Sequence, residues 1–448
     1  MYYLILIFLI FVSSCYSFIP NIKFKNNNNF YYKDNIVELQ NNLNLFSNFT
    51  GFYGLVGPNV DFNNASSLME LFTGDGVVQG VFINNGTITF QNHIIQTDKL
   101  KFEKIHGNIK LNLFTLILGM LKLFPTSAGT ANTALHIFQN NTLALYETDF
   151  PYILNIDQIN KKISTIGKQK IKDITSISAH SKFKDDYIET ISYDILRKKV
   201  HFLNIDKNYN ISSKISIQTN YFPVIHDFIS NDDYFIFIDS PLQINITKII
   251  NSKFPIYLNN KLPTYIHIIN KKTNKKDLIE LKEGFYVFHY SNFKETDKEF
   301  IIQATQIDEL DFSNLIFNPK LREIVINKQT KEVINKKFLE LEEIHMDFPI
   351  KINDSRTLFS LIHNKIGFSG FVICEETTII KKILLKNTII IGEPQIINIE
   401  NTNFAISFSK KQENNFLLVV NLEDYSYFEV PIPIPLINGF HSIFIKTK

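Results

Sequence analysis

Four histidines are the candidate ligands for one metal ion in this chain, although they are spread over most of its length. The gaps between them are 46, 63 and 152 residues, which rules out a local clip such as a zinc finger. Ligands this far apart can converge only if separate structural units aim side chains at a common point. That geometry is natural for the axis of a β-propeller. The histidines are His180, His226, His289 and His441.

The elements that must position these histidines are short β-like runs separated by turn residues, which make up most of the chain after residue 44. In the segment 80–90, two arms with alternating apolar residues flank Asn85-Gly86, a pattern typical of a tight hairpin. Other β-like runs are 234–238, 285–288, 300–302 and 416–420. Convincing long helices are scarce, so the pattern predicts a large all-β domain.

The composition of the 448-residue chain is that of a globular protein with a large core, since 45% of its residues are hydrophobic. A net charge of +2 gives no reason to expect a nucleic acid as a partner. The cysteines are Cys15 and Cys374, and this count excludes a cysteine-ligated metal or an iron–sulfur cluster.

Short motifs surround the histidines and occupy the intervals between them. The motifs are Phe72-Thr73-Gly74-Asp75-Gly76, Ala144-Leu145-Tyr146-Glu147, Ala179-His180, His226-Asp227-Phe228, His289-x-x-Asn292-x-x-Glu295, Asp347-Phe348-Pro349, Gly392-Glu393-Pro394 and Gly439-Phe440-His441. In content and in order they resemble the motifs of the carotenoid cleavage oxygenase family, and the resemblance covers nearly all of the chain after the lead-in.

The resemblance implies an Fe(II) ion on the axis of a seven-bladed β-propeller, beneath a cap of helices and loops. Its ligands would be the four histidines, which leave octahedral positions open for dioxygen. Three carboxylates stand where the family keeps acceptors for the second ring nitrogens: Glu147, Asp347 and Glu393. In that order they would orient His226, His289 and His441, and His180 would be left without a carboxylate partner.

The sequence departs from the family pattern at one site position and at three others. Asp347 is one methylene shorter than the family's glutamate, so either the backbone shifts inward or a water bridges the gap to the histidine. Leu55, His93 and Gln96 stand where relatives have arginine. We interpret these three substitutions as structural drift, on the expectation that they lie away from the ligand motifs.

The function that the resemblance implies is an Fe(II)-dependent dioxygenase acting on a carotenoid or apocarotenoid. Such an enzyme adds dioxygen across a conjugated C=C bond and releases two carbonyl products. Its partners would be dioxygen and an apolar polyene held in a tunnel of aromatic and aliphatic side chains, and we expect a monomer. Three alternatives stay open: a stilbene-cleaving oxygenase, a retinoid isomerohydrolase, and an iron-binding propeller without catalysis.

The N-terminus is predicted to be a secretory signal peptide over residues 1–17. Residues 4–12 are apolar and too short to span a bilayer, and small residues follow at Ser13, Ser14 and Ser17. An uncleaved signal anchor is the alternative. Residues 18–44 are predicted to be an Asn-rich polar lead-in and 45–448 a single domain, so we expect a secreted or secretory-pathway protein.

The apolar segment 111–124 is the main exception to the β pattern. It begins at Leu111, ends at Phe124 before Pro125, and is too short to span a membrane. One interpretation is a buried helix in the cap of the fold. The other is a monotopic segment that contacts the membrane, since relatives in the family often carry an apolar membrane-facing patch in this region.

Overall fold

Antiparallel β-strands form almost all of the regular structure, which confirms the all-β prediction. The computed structural model describes residues 31–446 except for 32, 41–43, 61–71, 73, 107–128, 196, 246–247, 249–255, 313–317 and 363–366. Within these residues the helices are a 3-10 helix (Asn44–Phe46), α1 (Asp98–His106) and α2 (Leu339–Glu342). No helix in the described part of the chain is long and apolar enough to cross a membrane. The predicted signal peptide 1–17 and the apolar segment 111–124 lie outside the described residues.

The first sheet joins the two ends of the described chain. Its strands are β1 (Asn35–Leu39), β2 (Thr50–Pro58), β3 (Gly76–Asn84), β4 (Thr87–Ile94) and the last strand, β31 (Ser442–Lys446). They lie in the order β1-β4-β3-β2-β31. Strand β1 falls inside the segment 18–44, so strand pairing begins within the polar lead-in. The predicted hairpin is confirmed, because Asn85 and Gly86 both have positive φ between β3 and β4.

Four four-stranded sheets follow among the described residues, and each pairs strands that are close in sequence. The first two contain β5 (Ala134–Phe138), β6 (Asn141–Leu145), β7 (Tyr152–Asp157) and β8 (Lys162–Lys168), then β9 (Lys182–Phe183), β10 (Tyr187–Asp194), β11 (Lys199–Asp206) and β12 (Ile211–Gln218). The third contains β13 (Ile229–Ser230), β14 (Tyr234–Asp239), β17 (Thr264–Asn270) and β18 (Lys276–Leu281), with β15 (Leu242–Ile244) and β16 (Ile256–Leu258) as an inserted hairpin. The fourth contains β19 (Tyr286–Glu295), β20 (Glu299–Ile307), β21 (Lys320–Asn327) and β22 (Val333–Lys336).

The last sheet has eight strands but divides into two halves. One half contains β23 (Met346–Lys351), β24 (Arg356–Ile362), β25 (Phe368–Glu375) and β26 (Thr378–Leu384). The other contains β27 (Ile389–Ile399), β28 (Thr402–Lys411), β29 (Asn414–Asn421) and β30 (Tyr427–Ile432). Between β25 and β27 the described pairing is the single pair Phe368 and Ile390, so each half is a four-stranded unit in its own right.

Hydrophobic side chains fill the spaces between successive sheets, because each sheet buries its apolar faces against its neighbours. One cluster packs the first sheet against β5–β8, and the next clusters join β5–β8 to β9–β12 and β9–β12 to the sheet of β13, β14, β17 and β18. Further clusters join that sheet to β19–β22, β19–β22 to β23–β26, and β23–β26 to β27–β30. A last cluster packs β27–β30 against the first sheet. Each unit therefore packs on the next one, and the last packs on the first.

Candidate metal centre

The four histidines come from different parts of the fold and point to one place. His180 lies in the loop before β9, His226 in the loop between β12 and β13, His289 within β19, and His441 directly before β31. One ring nitrogen of each lies within 4.8 Å of those of the others. The packing of successive sheets therefore closes gaps of up to 152 residues in the sequence.

The Nε2 atoms of these imidazoles face one another across distances that suit a single metal ion. Nε2 of His180 lies 2.9 Å from Nε2 of His226 and 3.1 Å from Nε2 of His441. The Nε2 atoms of His289 and His441 are 3.4 Å apart. Imidazole nitrogens bind a metal ion at about 2.1 Å, so two adjacent ligand atoms lie about 3 Å apart.

The three predicted carboxylates each face the Nδ1 atom of the predicted histidine. The distances are 2.8 Å for Glu147 and His226, 2.7 Å for Asp347 and His289, and 3.4 Å for Glu393 and His441. Asp347 therefore reaches its imidazole directly, without a bridging water. Glu393 Oε2 also accepts a hydrogen bond from the N–H of Ser442 at 3.1 Å, so its contact with His441 is shared with the backbone.

Two of these carboxylates accept a hydrogen bond from a threonine. No role is predicted for either threonine from the sequence. Thr305 Oγ1 donates to Asp347 Oδ1 at 2.9 Å, and Thr133 Oγ1 donates to Glu147 Oε2 at 3.3 Å. Each carboxylate thus has a second donor besides its histidine, which fixes the oxygen that faces the imidazole. Thr305 lies in the middle of β20, and no motif in the sequence distinguishes it from other strand threonines.

Irregularities in the strands place three of the site side chains. Strands β19, β23 and β27 shift register at or beside His289, Asp347 and Glu393, respectively. Such bulges re-aim the side chains of a strand and are common next to active sites. Phe348 has a φ of 53°, which is rare for a residue with a side chain, and Gly392 has a φ of 71°. The backbone beside Asp347 and Glu393 is thus bent toward the histidines.

Leu55 contacts the ligand motifs directly, so the expectation that this position lies away from them is wrong. A Cβ atom on Gly439 would lie 2.4 Å from Leu55 Cγ, and one on Gly392 would lie 2.6 Å from Leu55 Cδ1. Leucine therefore fills the space that the two glycines leave open. The contact of His93 is with the lead-in instead, because its Nδ1 lies 2.6 Å from Asp34 Oδ2.

His180 has no carboxylate at hydrogen-bonding distance from its Nδ1 among the described residues. The nearest carboxylate oxygen is Oδ1 of Asp227, at 3.9 Å. Asp227 follows His226 in the His-Asp-Phe motif, and this position is the signal that sequence reasoning left unused.

Burial and pairing set the charges of the site. Burial raises the pKa of Glu147 and of Asp347, but the adjacent histidines outweigh it, so both pKa values are lowered. Burial and the other imidazoles hold the pKa of His180 well below its usual range. Burial also lowers the pKa of His226, and the pairing with Glu147 offsets this only in part. His289 is the exception, because burial lowers its pKa less than Asp347 and the other carboxylates raise it.

The pairing turns the Nε2 lone pairs of His226 and His289 toward the other imidazoles. A neutral imidazole that donates its Nδ1–H to a carboxylate has an unprotonated Nε2. His226 and His289 are held in this tautomer by contacts of 2.8 and 2.7 Å. Nitrogen lone pairs about 3 Å apart repel one another unless a metal ion or a shared proton lies between them. The residues present therefore fit a metal ion, and a set of imidazoles suits Fe(II).

Comparison with known sequences assigns the chain to a family. A family model described as RPE65, retinal pigment epithelial membrane protein, matches residues 47–361. The carotenoid 9,10(9',10')-cleavage dioxygenase 1 of Arabidopsis thaliana is 25% identical over 343 residues, which are 68% of this chain and 62% of that protein. The carotenoid 9,10(9',10')-cleavage dioxygenase of Crocus sativus is 26% identical over 340 residues, 68% of this chain and 61% of that protein. The match therefore spans less than two thirds of the length of these relatives.

Solved structures share the fold. The cobalt-substituted apocarotenoid oxygenase of Synechocystis matches with a TM-score of 0.74 at 15% identity, over 93% of this chain and 97% of that chain. A chimera of apocarotenoid oxygenase and RPE65 gives a TM-score of 0.75 at 15% identity, over 94% and 98% of the two chains. Because the family model covers well over half of the residues, this chain belongs to the RPE65 family, the family of the carotenoid cleavage oxygenases.

Proposed function

We propose that this protein is an Fe(II)-dependent dioxygenase that cleaves a conjugated C=C bond of a carotenoid or apocarotenoid into two carbonyl products. The observation that carries the proposal is the convergence of four imidazole nitrogens within 4.8 Å of one another. The names of the relatives, carotenoid 9,10(9',10')-cleavage dioxygenases, support the reaction and the substrate class, although the match spans 62% of the first of them.

In this proposal the four histidines hold the iron, and Glu147, Asp347 and Glu393 keep three of the imidazoles in the ligating tautomer. Bound Fe(II) would supply the chemistry that activates dioxygen. Because all four ligands are neutral, they leave the ion its full positive charge, and four ligands leave two octahedral positions open. The ring of Phe348 lies 5.4 Å from His289 and 5.2 Å from His441, where it shields the imidazoles from water.

An apolar substrate is supported by a series of aromatic rings that runs between two of the ligands. Each ring centroid lies within 6.4 Å of the next. The rings are Phe440, Phe72, Phe312, Tyr286 and Phe288. The series starts at the residue before His441 and ends 5.3 Å from the ring of His226. Rings in this position can contact a conjugated chain along its length.

We further propose that the sheets form a seven-bladed propeller. If the eight-stranded sheet is divided at its single joining pair, the described sheets give seven units, with β15 and β16 as an insertion. The packing of β27–β30 against the first sheet and the pairing of β31 with β2 support closure of the ring. The apolar segment 111–124 is proposed to contact a membrane, and residues 1–17 to direct the protein to the secretory pathway. Both proposals rest on the sequence.

The test is an oxygen-consumption and product assay with purified protein loaded with Fe(II). We expect one panel member among β-carotene, apocarotenals and resveratrol to be cleaved to two carbonyl fragments, detected by mass spectrometry, with matching uptake of dioxygen. Protein loaded with Zn(II) is the control and should give neither signal. Cleavage of resveratrol alone would favour the stilbene-cleaving alternative. Full iron occupancy without oxygen uptake or cleavage on any substrate would favour an iron-binding propeller without catalysis.

A further inference from the structure

The carboxylate of Asp227 is buried and is held by three donors. Its Oδ1 accepts hydrogen bonds from Nζ of Lys182 at 2.6 Å and from the N–H of Phe228 at 2.7 Å. Its Oδ2 accepts a hydrogen bond from the N–H of Tyr290 at 3.3 Å. With a side-chain exposure of only 7%, this carboxylate depends on these donors to offset the loss of water. Its position in the fold is therefore fixed.

The contacts of Asp227 join three of the four ligand segments. Lys182 is two residues after the first histidine of the site, Asp227 directly follows the second, and Tyr290 directly follows the third. Lys182 lies in β9 and Tyr290 in β19, which belong to different sheets, and Asp227 lies in the loop between β12 and β13. Apolar packing alone fixes the relative positions of two sheets less strictly than a charged hydrogen bond at a defined atom. Asp227 supplies such a bond between the ligand segments.

This connection bears most directly on the orientation of His180. Among the described residues, the carboxylate nearest to its Nδ1 is Asp227, and the distance of 3.9 Å is too long for a hydrogen bond. The backbone N–H of His180 donates to Ser178 Oγ at 3.0 Å. The same hydroxyl lies 3.4 Å from the carbonyl oxygen of His226. His180 is thus oriented through its backbone and its neighbours, whereas His226 and His289 are oriented through their rings.

We propose that Asp227 and Lys182 form a positioning pair that sets the direction of His180 relative to the other metal ligands. The inference rests on the proposed metal site. Lys182 links the segment of His180 to the carboxylate, and its ammonium also lies 5.0 Å from the centroid of the Phe228 ring. The carboxylate in turn fixes the backbone that follows the second and third histidines.

The simpler interpretation is an ion pair that serves only the surface, because Lys182 is 32% exposed and such pairs usually contribute little to stability. Two observations argue against it. The partner carboxylate is buried, and both of its other donors are backbone N–H groups next to the ligand segments. The effect of breaking the pair should therefore appear in metal binding more than in global stability.

The experiment is a Co²⁺ titration of the metal-free full-length protein, followed by visible absorption, which reports ligand geometry as well as affinity. We expect Asp227→Asn to weaken Co²⁺ binding by about 10- to 100-fold and to change the absorption bands. Lys182→Met should weaken binding by a smaller factor, because the two backbone donors remain. The double variant should bind like Asp227→Asn alone, within about twofold, since Lys182 acts through Asp227.

The matched control is Lys411→Met, which breaks a pair of the same kind between β28 and β30. Lys411 contacts Glu429 at 2.5 Å, is 27% exposed, and lies 5.4 Å from the ring of Tyr427. It should leave Co²⁺ affinity and spectrum unchanged. Unchanged affinity and spectrum in Asp227→Asn, or losses in the two single variants that add in the double variant, would overturn the proposal. If Asp227→Asn does not fold, wild-type binding by Lys182→Met overturns it. Failure of the unaltered protein to bind Co²⁺ would instead refute the metal site itself.

Discussion

The Oδ1 atom of Asp347 lies 2.7 Å from Nδ1 of His289, although the aspartate side chain is one methylene shorter than the glutamate of the family pattern. The backbone makes up the difference. Strand β23 has a register shift directly after Asp347, and Phe348 has a φ of 53°. Of the two ways to close the gap that the sequence leaves open, the structure uses the backbone shift.

Restoring the family's residue at this position should harm the protein. The Asp347 carboxylate is buried and already contacts both His289 and Thr305 Oγ1, so Asp347→Glu must fit an extra methylene into filled space. We expect a loss of about 1–3 kcal/mol in the free energy of unfolding of the metal-free protein. Thermal or chemical unfolding measures it. Equal or higher stability, with unchanged iron content, would show that the bulge leaves room to spare.

Glu147 and Glu393, which face two of the histidines, should contribute unequally to iron affinity. Glu147 lies 2.8 Å from the Nδ1 of His226, whereas Glu393 lies 3.4 Å from that of His441 and shares its oxygen with the N–H of Ser442. Glu147→Gln should therefore reduce iron affinity at the upper end of the usual range of about 10- to 100-fold, and Glu393→Gln at the lower end. Metal titration against a competing chelator gives both values. The reverse order would mean that distance does not determine the contribution.

The ligand assignment is tested by comparing two histidine variants. His226→Ala should lower the iron content at least about 10-fold, because it removes both a ligand and the partner of the Glu147 carboxylate. His201→Ala is the control, since His201 lies in β11 and its Nδ1 contacts Ser216 Oγ at 2.8 Å. It should retain iron at the wild-type level. Elemental analysis of both folded proteins decides, and full iron content in His226→Ala would remove it from the ligand set.

Some elements of this fold can be predicted from residue types, and others cannot. The hairpin at Asn85-Gly86 was predictable because its turn needs positive φ at both positions, which these residues tolerate. Strand β1 was not, because the Asn-rich composition of the lead-in hides a strand that pairs with β4 over Asn35–Leu39. Its pairing relies on backbone hydrogen bonds, which depend little on side-chain type.

For the candidate site, the motifs identify which residues meet but not how they are aimed. Positive φ at Phe348 is invisible in the sequence, since phenylalanine rarely adopts it. The packing of Leu55 against Gly392 and Gly439 depends on contacts between segments more than 300 residues apart, and no local pattern records them. Asp227 was visible as part of a motif, but its three donors come from the tertiary structure.

The apolar segment 111–124 is predicted to bind membranes. Asp substitutions at Leu116 and Leu118 should release the protein from liposomes, because a charged side chain inserts poorly into the lipid interface. Liposome flotation measures binding, and circular dichroism checks the fold. The control variant is Ile159→Asp, because Ile159 is 91% exposed in the turn after β7. This variant should leave liposome binding intact. Unfolding of the segment variant would assign 111–124 to the core, and binding without loss would place the membrane contact elsewhere.

The pH dependence of metal binding should be governed by His289. Burial lowers its pKa, but Asp347 and other carboxylates raise it further, so the net pKa lies above the ordinary value. The pKa values of His180 and His226 are lowered, so these two imidazoles are already neutral where His289 begins to protonate. Below the pKa of His289, binding must displace one proton, and the logarithm of the apparent affinity should fall by about one unit per pH unit.

Removing the charge of Asp347 should shift this dependence. Asp347→Asn should lower the pKa of His289. The charge of Asp347 makes the largest contribution that raises this pKa against the effect of burial, and the variant removes it. The variant should bind Co²⁺ more weakly at about pH 8, since the acceptor for Nδ1–H is impaired, yet its affinity should begin to decline only at a lower pH than that of the wild type. Titrations at several pH values between about 8 and 6 compare the two curves. Parallel curves would show that another group, and not His289, exchanges the proton for the metal.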